Sequence, residues 1–222
     1  MLDSIFIFFF CALLVANKNY RALVWGLAAG LLYFIVDFGI FHLLTRSRTI
    51  TEGFSLFWIL LWMSFSYGIT NFVWMWLWFE KNEHFWGYST LIIAWWIACP
   101  MVSELFGAAP VFTIARTTGS YHGIMGLIMF ASYAGALIYN MRAGKEKRVS
   151  IPRMLFIGIF IQFSWEFSLL VSGIRSVGAS PFEAIRTLLV NSLVETNLGI
   201  PSSYLLFAGI TRSLDKRKSG RR

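Results

Sequence analysis

Polar residues gather into short clusters along this chain, and long apolar runs separate them. A helix that crosses a bilayer needs roughly 20 predominantly apolar residues. Six runs reach that length, at 22–44, 54–79, 85–106, 121–141, 153–174 and 185–211. A shorter run, 3–16, has neither a basic leader nor a small-residue cleavage end, so it reads as a first span rather than a removable signal. The expected fold is all-α. It is a polytopic membrane bundle of about seven transmembrane helices, forming one domain over 1–211 with a basic tail at 212–222.

Composition supports this pattern. With 57% hydrophobic and 14% charged residues, the chain holds too little charge to solvate the surface of a soluble protein. The net charge of +8 invites a nucleic-acid reading, but the basic residues sit only in short loops and the tail. That distribution is a topology signal. Segments 17–21, 80–84, 142–153 and the tail from Arg212 hold most of the 19 Lys and Arg, leaving Arg46, Arg48, Arg116, Arg175 and Arg186 opposite. The rich side is the cytoplasmic one, which places the N-terminus outside and the C-terminus inside. The expected location is the cell membrane, or an endomembrane in a eukaryote. Expected partners are the lipid bilayer and a hydrophobic small molecule, with no nucleic acid; the sequence does not fix an oligomeric state. Cys11 and Cys99 lie inside apolar runs, and no Cys/His pair has ligand spacing, so no disulfide, metal site or cofactor is expected.

The ten Trp and 22 Phe are dense between Trp58 and Trp96. Trp74, Trp76, Trp78 and Trp86 flank the turn around Lys81 and read as an interfacial belt. Trp62, Trp95 and Trp96 lie deeper, where an indole N–H requires an acceptor.

Ionisable side chains inside spans cost at least ~2.5–3.5 kcal/mol at a helix centre, so each is a candidate for function. Asp37, Glu166 and Glu195 are such cases, while Glu104 and His122 fall at span boundaries. With the orientation above, Asp37, Glu166 and Glu195 lie roughly 10–15 Å from the outer end of their spans by the helical rise. They are therefore expected to share one cavity open to the outside. Gln162 stands one turn before Glu166 and Asn191 one turn before Glu195, where each can bond locally. Gly199 and Pro201 should interrupt the helix beside Asn197. A broken helix next to a buried carboxylate is a common way to build a site within a membrane. Trp165, Tyr67, Trp62 and Trp95 complete the expected lining, with Gln162, Asn191, Asn197, Glu104 and His122 as its polar members. Asn71 and Asn140 are expected to bond each other near the cytoplasmic end. The outer segments 45–53, 107–120 and 175–184, with Gly119, Gly178 and Pro181, are candidate lids.

Two carboxyls in a dry cavity do not ionise together, so one can act as general acid and the other as base. Aromatic faces stabilise cations by roughly 0.5–2 kcal/mol each. Together these suit reactions that generate a carbocation from a lipophilic substrate, with Glu166, Glu195 and Asp37 as the catalytic groups. The stretch Gln162-Phe-Ser-Trp165-Glu166 resembles the Trp–Glu motif of the small seven-span terpene cyclases of fungal meroterpenoid and indole-diterpene pathways. In that family the motif lies on an early helix, and here it lies on the sixth span. The resemblance implies metal-free protonation of an epoxide or alkene, with Glu195 as the second carboxylate. Two other functions fit the same residues: a small proton- or cation-coupled transporter or channel, and a non-catalytic accessory subunit whose polar groups lock helices together.

Overall fold

The computed structural model describes residues 2–51, 53–107, 114–116, 121–174 and 180–219. Among them the chain is almost wholly helical: α1 (Leu2–Ala16), α2 (Tyr20–Leu44), α3 (Leu56–Glu80), α4 (Phe85–Phe106), α5 (His122–Arg142), α6 (Ile151–Val171), α7 (Pro181–Val194) and α8 (Ile200–Ser219). Five helical segments, α2 to α5 and the stretch Lys145–Val171 containing α6, are long and apolar enough to cross a membrane; α1 is a shorter apolar helix. The chain is thus an all-α protein with the character of a multi-pass membrane protein. It divides into two compact units, Met1–Ser120 and Tyr121–Arg222.

In the first unit, close approach of α2 and α3 depends on glycine. Gly26 and Gly30 stand four residues apart on one face of α2, the small-xxx-small spacing that lets membrane helices meet at backbone distance. They face Gly68 of α3, where an added Cβ would lie 2.5 Å from Gly30 Cα. Both helices carry wide, π-type turns, over Ile35–Leu44 and Gly68–Phe72. Such turns often mark functional or strained segments. Beyond α2, a short strand β1 (Arg48–Ile50) pairs antiparallel with β2 (Ile114–Arg116), in the register Arg48 to Arg116.

The tryptophans correct the belt expectation in part. Trp86 is exposed, but Trp74 and Trp76 are fully buried. Their indoles donate to Ser89 Oγ (2.8 Å), on the following helix α4, and to Glu80 Oε2 (3.2 Å), one turn along α3. They are core residues of the first unit. Asn71 and Asn140, expected to bond each other, each have partners close by in the chain. Asn140 spends both ends of its amide on the backbone of Val149, at 2.7 and 2.8 Å, and so closes the loop between α5 and α6. Asn71 donates to Thr70.

In the second unit, α6 starts behind Ser150, whose hydroxyl accepts from the Arg153 N–H, with Pro152 in the first turn. Helix α7 opens on a full capping box: Ser180 accepts from the Glu183 N–H, and Glu183 accepts from the Ser180 N–H. The predicted break in the last apolar run is present. Helix α7 ends at Val194, residues 195–199 form turns, and α8 restarts at Ile200 with Pro201 in its first turn. Proline lacks an N–H and clashes with the preceding turn, so the ladder stops there for a covalent reason. Helix α8 then runs on through Arg212 to Ser219.

Candidate functional site

Helix α6 presents Gly158, Gln162 and Glu166 at four-residue spacing, hence on one face. Helix α7 and the turn after it present Asn191, Glu195, Thr196 and Asn197. Since α6 and α7 run antiparallel as a hairpin, the two rows meet rung by rung. On the first rung Asn191 Nδ2 donates to Glu166 Oε1 at 3.1 Å. On the second, Gln162 Nε2 donates to Glu195 Oε2 at 2.8 Å and to Glu166 Oε1 at 3.4 Å. On the third, Asn197 lies against Gly158, where an added Cβ would overlap its Oδ1.

One amide nitrogen thus serves both carboxyl groups. The carboxylates, which only accept, turn the amide nitrogen toward themselves, and at the other end Gln162 Oε1 accepts from the Thr196 hydroxyl at 2.6 Å. Glu166 is 1% exposed and Gln162 is fully buried. The Glu195 side chain is 22% exposed, and His122 Nε2 lies 3.9 Å from its Oε1. That gap is longer than a hydrogen bond. His122 Nε2 and Asn191 Oδ1 are both buried atoms that make no hydrogen bond among the described residues. Such atoms carry the full desolvation cost of a polar group, about 1–3 kcal/mol each, and are recovered when a donor or acceptor arrives.

No protein-family model, no curated protein and no solved structure matches this chain. The site must be read from its own atoms. A buried carboxyl, a partly exposed carboxyl and an imidazole follow one another through one oriented amide and a short gap. This arrangement can hold a proton on either carboxyl and exchange it at the exposed end. Among the described residues no three His, Cys, Asp or Glu side chains converge in a metal-binding group.

Of the residues expected from the sequence, Glu166, Glu195, Gln162 and Asn191 are brought together, with His122 beside Glu195. Asn197 faces the adjoining rung, and Trp165 follows α6 half-buried. The remainder belong to the first unit. Asp37 is a correction to the three-acid layer: its Oδ1 accepts from Arg48 Nε at 2.7 Å, both side chains being buried. The guanidinium also lies 4.4 Å over the Phe41 ring. The partner of Asp37 thus comes from the strand just beyond α2. Trp62 and Trp95 do find an acceptor, which is Asp3, at 2.9 and 3.2 Å on its two oxygens. Tyr67 stacks on Tyr33 at 4.8 Å. Glu104 is exposed at the end of α4. Gly119 and Gly178 of the expected lids lie outside the described residues, as does Arg175.

Three members of the site escaped the sequence reading: Thr196, Tyr133 and Gly158. Thr196 and Gly158 were within reach of it. Once α6 and α7 are drawn antiparallel with Glu166 opposite Asn191, Gln162 falls opposite Glu195 with Thr196 beside it, and Gly158 falls opposite the turn that contains Asn197. Nothing in the local sequence marks Tyr133.

Proposed function

We propose that the chain is an intramembrane enzyme that performs metal-free acid–base chemistry, cyclisation or isomerisation, on a lipophilic substrate of the prenylated class. The single observation behind this reading is that Glu166 and Glu195, on two helices, share the Gln162 amide while His122 stands beside the more exposed carboxyl. In such a reaction one carboxyl gives its proton to an epoxide oxygen or alkene carbon. The C–O or π bond opens to a carbocation, a second alkene attacks it, and the other carboxyl takes a proton from carbon. Substrate and product have the same mass. Each turnover leaves the proton on the opposite carboxyl, so a route for its return is required. His122, beside the more exposed carboxyl, supplies the exchange with water, while the Gln162 amide, a donor to both carboxyls, holds them in place. General acid–base catalysis of this kind contributes typically 10²–10⁴-fold.

The same reading takes α1 and the interrupted pair α7–α8 as the first and last of seven spans, with the N-terminus outside and Arg212 onward in the cytoplasm. Its substrate reaches the carboxyls from the bilayer, so no soluble carrier is needed.

The test is conversion of epoxidised prenyl phenols and polyprenyl alkenes by membranes that contain the chain. The wild type should yield a product of unchanged mass and altered chromatographic retention. Glu166→Gln and Glu195→Gln should each abolish it while the protein still purifies as a folded species. Conversion that survives both changes would end the enzyme reading. The break between α7 and α8 favours one second reading, a proton-coupled carrier. Uptake into vesicles that depends on a pH gradient and is lost in the same two variants, with no conversion, would replace the first reading by that one.

A further inference from the structure

Glu195 is the last residue before the break, its N–H still on the Asn191 carbonyl at 3.0 Å, and beyond it the backbone turns away, yet its carboxyl must stay on Gln162. The two residues that follow Glu195 are each tied to a different helix. Thr196 bonds Gln162 of α6, as described above. Asn197 is fully buried, and its Oδ1 accepts from the Tyr133 hydroxyl of α5 at 3.0 Å. Its Nδ2 donates back to the Leu193 carbonyl at 3.1 Å, which closes the last turn of α7. Gly158 of α6 leaves the space into which the Asn197 amide fits; any side chain there would overlap it.

Tyr133 and His122 are eleven residues apart on α5, close to three whole turns, so they point from the same face. One of them meets Asn197 and the other stands beside Glu195. The bond from Tyr133 therefore also fixes how far α5 stands from the broken segment, and with it the separation of His122 from Glu195. We infer that Tyr133, acting through Asn197 seated against Gly158, is a positioning residue that holds Glu195 at Gln162 and within reach of His122. This inference rests on the proposed role of Glu195 in the acid–base pair. Tyr133 itself touches neither carboxyl in the contacts described.

The test reads the carboxyls directly and needs no substrate. The full chain in lipid vesicles is treated with dicyclohexylcarbodiimide, which reacts with protonated carboxyls inside membranes, over a series of pH values. Labelling at Glu195 and Glu166 is then resolved by peptide mass spectrometry. Tyr133→Phe removes one hydroxyl and keeps the ring. It should displace the labelling-versus-pH curve of Glu195, with a rate change at neutral pH of about 3- to 10-fold, the worth of one hydrogen bond. The curve of Glu166, held also by Asn191, should move by clearly less. Gly158→Ala leaves the hydroxyl in place but unseats Asn197, and should displace the Glu195 curve in the same sense. A Glu195 curve unchanged in both variants overturns the inference, and so do equal shifts at both carboxyls, the mark of general loosening. If Tyr133→Phe does not fold, Gly158→Ala decides by the same criteria. A chain that shows the selective shift but never converts a prenyl substrate keeps the clamp and loses the enzyme reading, so the two failures are separate.

Discussion

Asp37 in the first unit and Glu166 in the second are equally buried, each 1% exposed, and the two are met by different chemistry. Asp37 faces a guanidinium at 2.7 Å that is itself enclosed. Glu166 is met by the amides of Gln162 and Asn191, and through Gln162 it communicates with a second carboxyl. Arg48 keeps its charge, so the pair ties Asp37 to the strand through opposite charges. The two amides that meet Glu166 bring no charge of their own. Two acids that look alike in sequence thus differ, one a rivet between charges and the other a carboxyl that accepts from amides.

The widest gap between them should appear in stability. Asp37→Asn removes the charge opposite Arg48 and should cost about 3–5 kcal/mol, the usual penalty for breaking a buried pair from one side. Thermal unfolding of the purified protein in detergent measures it. The double change Asp37→Leu with Arg48→Met should recover most of that loss, because apolar groups of similar volume need no counter-charge. An Asp37→Asn protein that unfolds with the wild type would show that the rivet carries no load. A comparable but smaller loss, about 1–3 kcal/mol, is expected for Gly68→Ala, which forces α2 and α3 apart at Gly30. Glu166→Gln should fall lower, within about 1 kcal/mol of wild type, since an amide replaces a carboxyl among other amides. If Glu166→Gln proves as costly as Asp37→Asn, the distinction between the charged rivet and the carboxyl among amides is lost.

The sequence announced the acids but not which kind each was. The long apolar runs were legible because lipid imposes length and leaves no alternative to helices. The break at Gly199 and Pro201 was legible because proline removes a donor whatever surrounds it. Local spacing also gave Gln162 to Glu166. It could not give Arg48 to Asp37, because that partner sits on a strand whose place depends on pairing with Ile114–Arg116, far along the chain. Trp74 and Trp76 misled for a related reason. Proximity to a charged turn suggests an interface, but burial follows the packing of neighbouring helices, and Ser89 supplied the polar contact that lipid headgroups were expected to give.

A third carboxylate completes the comparison at its exposed end. Glu183 accepts from the backbone N–H of Ser180 at 2.9 Å and from its hydroxyl at 2.8 Å. Those bonds, the backbone one foremost, hold its carboxyl below the ordinary value of 4.5. A depressed value in the folded state means the carboxylate stabilises the start of α7 above the ordinary range, and that contribution fades as pH falls through the folded value. Acid should therefore fray the first turn of α7 at Phe182–Ala184 before it disturbs the rungs at Glu166. Hydrogen exchange at those amides, corrected for the intrinsic effect of pH, measures it, with Glu183→Gln as the variant that keeps an acceptor at the cap and has lost its pH dependence. The effect should be the smallest of the series because Glu183 is open to water, which screens what the bonds provide. Frayed rungs ahead of a frayed cap would mean that the amide-held carboxyls, not the exposed one, are the acid-sensitive joint of this unit.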